Sequence, residues 1–447
     1  MKEAAVLRYA PVLPPDELAR LKAALGLIPF VDLFSGCGGS SRGLEEAGFR
    51  LLLGMNHDPV AVSTHRANHP HAEHKCEDIH TYDKRNLPSA RVYWASILCT
   101  EASKAGGRKR YRGQERLSLT GKDEGAKAAT FVQTRASALD VLAVTELHRP
   151  DAVLVENVAE FATDWELFDW WLRGMELLGY NVQIVNASSA HLGGGDNLLP
   201  PQLRDRIYIV FTRKGLPLPD LRVRPEAVCP ECGPVLANQV WKNPKARRIG
   251  KWGEQYDFRC PNRACGHLKL TPVTRPVGDV IDWSLPGQRV GDGRPDRKKF
   301  TPYAASTRAR IAMGLERFGT DPYIVMLRRH GTALPITGPV PALAAQGRHH
   351  ALIIPIGRKG APRTTAEPLT TVATKPHHSL VIPALTVDDC TLRMLSVAEL
   401  KQVQRFPADY IILGNQTEAI LQIGNAVSVN AARWLGERLL PSLALAA

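Results

Sequence analysis

The sequence predicts an α/β protein whose core is a Rossmann-like, doubly wound and mainly parallel sheet. Short apolar runs alternate with longer amphipathic segments from residue 28 to about residue 213, a pattern typical of parallel strands joined by helices. The predicted strands cover 28–33, 50–55, 92–97, 152–155, 180–185 and 207–211. The predicted helices between them cover 41–47, 60–67, 130–147 and 165–178.

The amino-acid composition and the spacing of apolar residues change after residue 213. Proline and glycine become dense, and helical spacing disappears until residues 395–404 and 426–440. This change predicts a second, irregular domain over 213–390, after a first domain over 28–212 that carries an extension over 1–27. We expect the carboxyl-terminal segment 391–447 to dock back on the first domain.

The composition excludes a disordered tail and a membrane protein. Among 447 residues, 44% are hydrophobic and 23% charged, and no apolar run approaches the ~20 residues that span a bilayer. The net charge is +13, with the basic excess concentrated in 100–127 and 241–275. Such a surplus suits a polyanion such as a nucleic acid, although a merely basic soluble protein has the same charge. The first residues lack a secretory pattern, which predicts a cytoplasmic protein.

A glycine-rich turn follows the first predicted strand and leads into a helix. Glycines let a backbone approach a ligand closely, and the carboxyl end of a parallel strand is where such sheets bind nucleotides. The phosphate-binding lysine of a P-loop is missing, so we expect no nucleoside triphosphate site. A simple strand-to-helix turn is the alternative interpretation. The candidate binding residues are Asp32, Phe34, Ser35, Gly36, Cys37, Gly38 and Gly39.

Three further groups of chemically capable side chains lie near the ends of predicted strands. Cys99 follows the strand 92–97 and is either an activated nucleophile or a buried small apolar residue. Glu156 and Asn157 follow the strand 152–155, where they offer either a carboxylic acid for proton transfer or a pair of helix-capping residues. Polar side chains that lie on one face precede the strand 207–211, and they are either functional groups or part of an ordinary charged edge strand. These residues are Gln202, Arg204 and Arg206.

Four of the eight cysteines form two closely spaced pairs, the pattern of a tetrahedral zinc site. They predict a structural Zn²⁺ in a ribbon at about 226–270, with unliganded surface thiols as the alternative. The basic run between the pairs, at 242–251, would face nucleic-acid phosphates or remain a solvated surface. The candidate ligands are Cys229, Cys232, Cys260 and Cys265.

In their order along the chain, these motifs resemble the DNA cytosine-5 methyltransferase family. The resemblance covers about 28–212 and 391–447, and it implies that the segment between them is a target-recognition domain. The matching motifs are Asp32-Leu33-Phe34-Ser35-Gly36-Cys37-Gly38-Gly39, Cys99, Glu156-Asn157-Val158, Gln202-Leu203-Arg204-Asp205-Arg206 and Gln422-Ile423-Gly424-Asn425-Ala426-Val427.

The resemblance implies S-adenosyl-L-methionine as the cofactor. Residues of the glycine-rich turn would line its methionine and adenine ends. The other residues that the resemblance assigns to the cofactor are Asn56 and His57 at the ribose, Asp78 and Ile79 at the adenine, and Asn425, Ala426 and Val427, which would close the pocket from the carboxyl-terminal segment.

The resemblance also implies C5 methylation of cytosine in double-stranded DNA by a monomeric enzyme. Cys99 would attack C6 of a flipped cytosine, and Glu156 would act as the acid on the base. Arg204 would orient Glu156, with Arg206 and Asn157 in the same site. We expect no membrane partner, and binding to DNA would place the protein on the nucleoid.

Three positions depart from the family pattern. Leu98 precedes Cys99 where proline is usual, Asn56 stands where the family has an acidic ribose-binding residue, and Ser428 replaces a proline. These departures leave open a modified S-adenosylmethionine as the donor. Two further alternatives are a C5 transferase that acts on RNA and a DNA-binding regulator whose site has decayed.

Overall fold

The computed structural model describes residues 8–97, 125–328, 331–345, 349–355 and 386–445, with side chains in the helix after residue 124 described from residue 136. The chain forms two compact units. The first contains 1–275, 341–347 and 400–447, and the second contains 276–340 and 348–399. Among the described residues, no helix is long and apolar enough to cross a membrane.

A seven-stranded mixed sheet forms the centre of the first unit. Its strands are β1 (Ile28–Leu33), β2 (Phe49–Asn56), β3 (Glu73–Cys76), β4 (Val92–Ser96), β5 (Ala152–Asn157), β6 (Tyr180–Ser188) and, after the two-residue β7 (Gln202–Leu203), β8 (Asp205–Arg213). The strand order is β3-β2-β1-β4-β5-β8-β6. The first five strands run parallel, and β8 is antiparallel to both of its neighbours.

Helices cover both faces of this sheet. Side chains alternate along the strands, so Phe30 and Trp94 pack with α2 and α10 on one face, while Val31 and Tyr93 pack with α4 and α6 on the other. The helices of the chain are α1 (Pro15–Leu25), α2 (Gly39–Glu46), α3 (Pro59–Asn68), α4 (Gly125–His148), α5 (Ala159–Thr163), α6 (Phe168–Leu177), α7 (Ala305–Phe318), α8 (Val397–Val403), α9 (Gln416–Asn425) and α10 (Val429–Ala444).

The predicted α/β class with a mainly parallel sheet is confirmed, since five of the seven strands are parallel and the sheet as a whole is mixed. Each predicted strand begins within two residues of an observed one. The short strand β3 escaped prediction because its sequence, Glu-His-Lys-Cys, has no apolar pattern. The helix α9 also escaped prediction, although Asn415 and Glu418 form a capping box at its start.

The segment with the paired cysteines belongs to the first unit, which differs from the predicted boundary at residue 213. Apolar side chains explain the difference, because Tyr256 and Phe258 join the buried cluster that contains Ala187 and Leu192 of the main sheet's face. The strands of this segment are β9 (Glu226–Cys229), β10 (Gly233–Leu236), β11 (Asn238–Trp241), β12 (Tyr256–Arg259) and β13 (Lys269–Leu270).

The second unit contains an antiparallel sheet and a helix. The strands in this part of the chain are β14 (Gln288–Arg289), β15 (Tyr323–Met326), β16 (Ala333–Pro335), β17 (Val340–Pro341), which crosses the boundary between the units, β18 (His350–Pro355) and β19 (Cys390–Met394). Five of them form a sheet in the order β14-β19-β18-β15-β16. The expectation that long helices are missing from this region is wrong, since α7 has 14 residues. Only Ile311 and Gly314 of α7 are buried, so its apolar periodicity is weak.

Candidate active site

The glycine-rich loop leaves the carboxyl end of β1 and enters α2. Phe34, Gly36 and Gly38 have left-handed φ angles of 61°, 53° and 94°. A Cβ on Gly38 would lie 2.4 Å from the Tyr410 hydroxyl oxygen, whereas a Cβ on Gly36 would meet no atom within 4 Å. Close packing therefore requires glycine at position 38, and the loop is open toward a ligand beside Gly36.

Two side chains support this loop from the protein interior. Ser40 and Ser41 each donate an Oγ hydrogen bond of 2.6 Å to Asp32 Oδ2, which fixes the first turn of α2. Burial raises the pKa of Asp32 to about 7, although both serine bonds act to lower it. The Cys37 thiol points to the Gln422 carbonyl oxygen, 3.5 Å away. Asp32 and Cys37 thus serve the loop structurally with their side chains.

The end of β2 borders the loop. The Ser35 amide donates to the Met55 carbonyl oxygen at 2.9 Å, which ties the loop to this strand. Asn56 Oδ1 accepts a hydrogen bond of 2.9 Å from the Asp58 amide, and His57 is exposed. Asn56 therefore offers its amide nitrogen rather than its oxygen to a ligand at this position.

Asp78 and Ile79 follow β3 on the other side of the β2 end. Ile79 is buried in the same apolar cluster as Leu33, and the half-buried Phe34 packs against that cluster. Asp78 is exposed, and its Oδ1 accepts a hydrogen bond of 3.0 Å from the His80 amide. An apolar surface and a carboxylate thus lie side by side, an arrangement suited to an adenosine group.

The carboxyl-terminal segment packs directly against α2. A Cβ on Gly39 would lie 2.1 Å from the Val427 carbonyl oxygen, and one on Gly43 would lie 2.3 Å from that of Val429. Ala426 and Val427 are buried, while Asn425 is exposed. The two glycines therefore permit a contact that any larger residue would prevent.

Ser428, one of the three departures from the family pattern, takes part in buried hydrogen bonds. Its Oγ donates a hydrogen bond of 2.7 Å to Gln404 Oε1, and Gln404 Nε2 donates to the Ile423 carbonyl oxygen at 2.9 Å. Ser428 thereby links α8's end to the turn after α9. Leu98 lies outside the described residues.

Glu156 and Asn157 end β5 at the same sheet edge as the loop. Glu156 Oε1 lies 2.9 Å from Arg206 Nε, with both side chains largely buried. Asn157 Nδ2 donates a hydrogen bond of 3.1 Å to the Ile97 carbonyl oxygen. Asn157 therefore holds the chain two residues before Cys99, which itself lies outside the described residues. The Asn157 side chain thus positions the segment that leads to Cys99.

The ion pair with Glu156 is formed by Arg206, whereas the resemblance implied Arg204 in that position. The strand is interrupted at residue 204, between β7 and β8, so the expected alternation of side chains does not extend from 206 to 204. The buried guanidinium of Arg204 donates to three carbonyl oxygens, those of Leu343 (3.4 Å), Gly424 (3.1 Å) and Ala426 (3.0 Å).

The paired cysteines come together in space. The four sulfur atoms lie within 4.8 Å of one another, and three of the four residues are buried. Two cysteines belong to the β9–β10 hairpin and two to the turn between β12 and β13. Four thiolates at these separations could hold a tetrahedral metal ion. The cluster consists of Cys229, Cys232, Cys260 and Cys265.

Several residues that build the site were not predicted from the sequence. Ser40 and Ser41 could have been found, because hydroxyl side chains at a helix start suit a buried carboxylate before it. Residues 341–345 and Tyr410 gave no such signal, since they reach the site through tertiary packing alone.

A comparison with known protein families identifies one family model that covers most of these residues. A family model described as C-5 cytosine-specific DNA methylase matches residues 28–246 and 316–440. The Type II methyltransferase M.BsuFI of Bacillus subtilis is 26% identical over 187 residues, which is 41% of this chain and 39% of that protein. The Type II methyltransferase M1.HphI of Haemophilus parahaemolyticus is 29% identical over 192 residues, or 42% of this chain and 46% of that protein.

The alignments with these two curated relatives therefore span less than half the length of each. Among solved structures, the S. pombe Dnmt2 methyltransferase is similar over 93% of this chain and 99% of its own, with a TM-score of 0.50 and 13% identity. At this identity, the similarity establishes the fold alone.

Proposed function

The chain belongs to the C-5 cytosine-specific DNA methylase family, and on that basis we propose that it methylates C5 of a cytosine in double-stranded DNA. The strongest support is that β1 and β5 lie on either side of the same strand, β4. Leu33 of β1 and Val155 of β5 both pair with Ala95 of β4. The glycine-rich loop and Glu156 are thus about two strand spacings apart, ~10 Å, on either side of the strand that leads to Cys99.

The proposed chemistry uses Cys99 as a nucleophile. C5 of cytosine is a poor nucleophile, and addition of the Cys99 thiolate to C6 makes C5 enamine-like and able to accept a methyl group. Glu156 would share a proton with N3 of the base during this addition, while Arg206 holds the Glu156 carboxyl group in place. After methylation, loss of the C5 proton returns its electron pair to the ring, and the C6–S bond breaks. The target lies inside a duplex, so the base must first be flipped out.

The residues present fit S-adenosyl-L-methionine as the donor. When bound, the cofactor supplies an electrophilic methyl group on a sulfonium. The open side of the loop at Gly36 would admit its amino-acid end, and Ile79 with the Asp78 carboxylate would receive the adenine. Asn56 would meet the ribose with an amide donor, and Asn425 would border the pocket from the carboxyl-terminal segment.

We further propose that the four-cysteine cluster holds one structural Zn²⁺. The support is the set of four sulfur atoms within 4.8 Å. The site packs into the first unit, where the buried Cys229, Cys260 and Cys265 share a cluster with Phe258 and Ala187. The metal would therefore contribute to the stability of the catalytic unit itself.

Methyl incorporation from labelled S-adenosyl-L-methionine tests this function. The purified protein should label duplex DNA, and bisulfite sequencing of DNA from expressing cells should reveal a fixed sequence context. Labelling of RNA but not of DNA would indicate that the substrate is RNA. Binding of DNA without any labelling would indicate a regulator. An Asn56→Glu variant with weaker cofactor binding would point to a modified donor.

A further inference from the structure

A groove of about 840 Å³ lies on the outer side of the main sheet, away from the cofactor loop. One wall is β6, which pairs only with β8 among the described residues, and the opposite wall is β11, which pairs only with β12. Buried Leu221 and Val223 contribute to the apolar lining. Neither wall nor lining belongs to the cofactor or cytosine site described above.

The groove begins close to the catalytic edge. Ala187 of β6 is paired with Arg206 of β8, which in turn contacts Glu156. At Asn186 the two walls are joined, because Gln239 Nε2 donates to the Asn186 carbonyl oxygen at 2.8 Å. Since β8 and β6 are successive neighbours of β5, this end of the groove lies about 10 Å from the strand that carries Glu156.

Cations dominate the rim of the groove. Arg222, Arg224 and Arg248 line it, against the single carboxylate of Asp220. Asp220 accepts two hydrogen bonds from the Arg222 guanidinium, and Arg224 lies 3.8 Å from the same carboxylate. Arg248 is exposed, and none of the ion pairs between described residues includes it. The rim thus keeps a net positive charge, which suits phosphate groups.

Aromatic rings lie beside these cations. Tyr9 is 60% exposed, and Trp241 is partly exposed and packs against Tyr256 with ring centroids 4.9 Å apart and the rings tilted by 47°. Guanidinium groups and tyrosine hydroxyls are among the groups that donate hydrogen bonds to the phosphate oxygens of a duplex. A free strand edge also suits an extended polypeptide, but three arginines against one carboxylate favour the polyanion.

We propose that this groove binds the DNA backbone flanking the target, as a contact separate from the site that holds the flipped cytosine. The inference rests on the proposed function. A duplex whose target base lies at Glu156 continues for many base pairs on either side, and phosphates within one helical turn can reach a groove that begins ~10 Å away.

The test measures binding to a duplex of about three helical turns with the target at its centre. The variant Arg224→Ala/Arg248→Ala should bind this duplex roughly ten-fold more weakly and lower the salt slope of log K by about 1.8, while its affinity for S-adenosyl-L-methionine is unchanged. Arg224→Lys/Arg248→Lys should restore affinity. Arg173→Ala, which removes an exposed cation on α6, is the matched control.

Melting temperatures of all variants should agree, which separates a binding effect from misfolding. Equal affinity of the double variant and the wild type for this duplex overturns the proposal and favours a polypeptide as the partner of the groove. An equal loss of affinity in Arg173→Ala also overturns it, because removal of any exposed cation would then have the same effect. Failure of the proposed function would be distinct, since the wild type would then transfer no methyl groups to the duplex.

Discussion

Arg206 Nε and Glu156 Oε1 lie 2.9 Å apart across the neighbouring strands β8 and β5. The Glu156 carboxyl group is therefore held by Arg206, the second arginine of the motif Gln202-Leu203-Arg204-Asp205-Arg206. The first arginine, Arg204, is bonded to the backbone of the carboxyl-terminal segment. We therefore expect the two arginines to act separately, Arg206 on the Glu156 carboxyl group and Arg204 on the backbone of the carboxyl-terminal segment.

The first prediction concerns Arg206. Replacement by alanine should lower the single-turnover rate of methyl transfer by ~10² or more, because the Glu156 carboxyl group loses its orientation. Loss of one partner from a buried ion pair should also cost about 3–5 kcal/mol of unfolding free energy. Cofactor affinity measured by calorimetry should remain unchanged. Arg206→Lys is the control that keeps the charge; a variant Arg206→Ala with the full rate would contradict the assignment.

Arg204→Ala should give the opposite pattern. Two carbonyl oxygens, those of Gly424 and Ala426, would lose their buried donor, at about 1–3 kcal/mol each. Since these carbonyls flank Asn425, we expect weaker binding of S-adenosyl-L-methionine, with the single-turnover rate at saturating cofactor largely retained. A variant that binds the cofactor normally but transfers methyl groups slowly would return Arg204 to the base site.

The covalent step can be trapped. Fluorine cannot leave C5 as a cation, so DNA with 5-fluorocytosine at the target should remain joined to the protein after methyl transfer and survive denaturing electrophoresis. Cys99→Ser should abolish this adduct, and Glu156→Gln should slow its formation by ~10²–10⁴. If Cys99→Ser transferred methyl groups as fast as the wild type, another nucleophile would be required.

The cysteine cluster predicts one zinc per chain, detectable by atomic absorption in protein purified under reducing conditions. Cys260→Ser should lose the metal and lower the melting temperature, because Cys260 is buried in the core of the first unit. Cys76→Ser is the matched control, since Cys76 is exposed and outside the cluster. Metal-free wild-type protein with the same melting temperature would rule out a structural role.

Asp32 predicts a pH dependence of stability. Burial raises its pKa to about 7, so the folded protein keeps a proton that the unfolded chain has already lost above pH ~4. This contribution favours folding at low pH and is lost as the pH rises through 7. Between about pH 5 and pH 7, the unfolding free energy of the wild type should fall by about 2 kcal/mol more than that of Asp32→Asn. Parallel pH profiles from calorimetry would show that Asp32 does not titrate in this range.

The parts of the fold that could be predicted are those in which local sequence and structure agree. The strand at Ile28–Leu33 begins and ends where its apolar run does, and the loop after it carries glycines at the left-handed positions 36 and 38. The division of labour between Arg204 and Arg206 could not be predicted, because it depends on a strand interruption between two similar residues.

Tertiary packing also decided where the cysteine segment belongs. Its proline-rich sequence resembles the region that follows it, whereas the burial of Tyr256 and Phe258 in the first unit depends on side chains far away in the chain. The helix α7 escaped prediction for a related reason, since a mostly exposed helix needs few apolar residues.

The short strap 341–347 belongs to the first unit although the chain on both sides of it belongs to the second. Leu343 accepts a hydrogen bond from Arg204, and a Cβ on Gly424 would lie 2.6 Å from Ala345 Cα. The second unit is therefore built from two separate chain segments, 276–340 and 348–399. An exchange of the second unit with that of a relative should replace these two segments separately and retain the strap, because a single block from 276 to 399 would also remove part of the first unit.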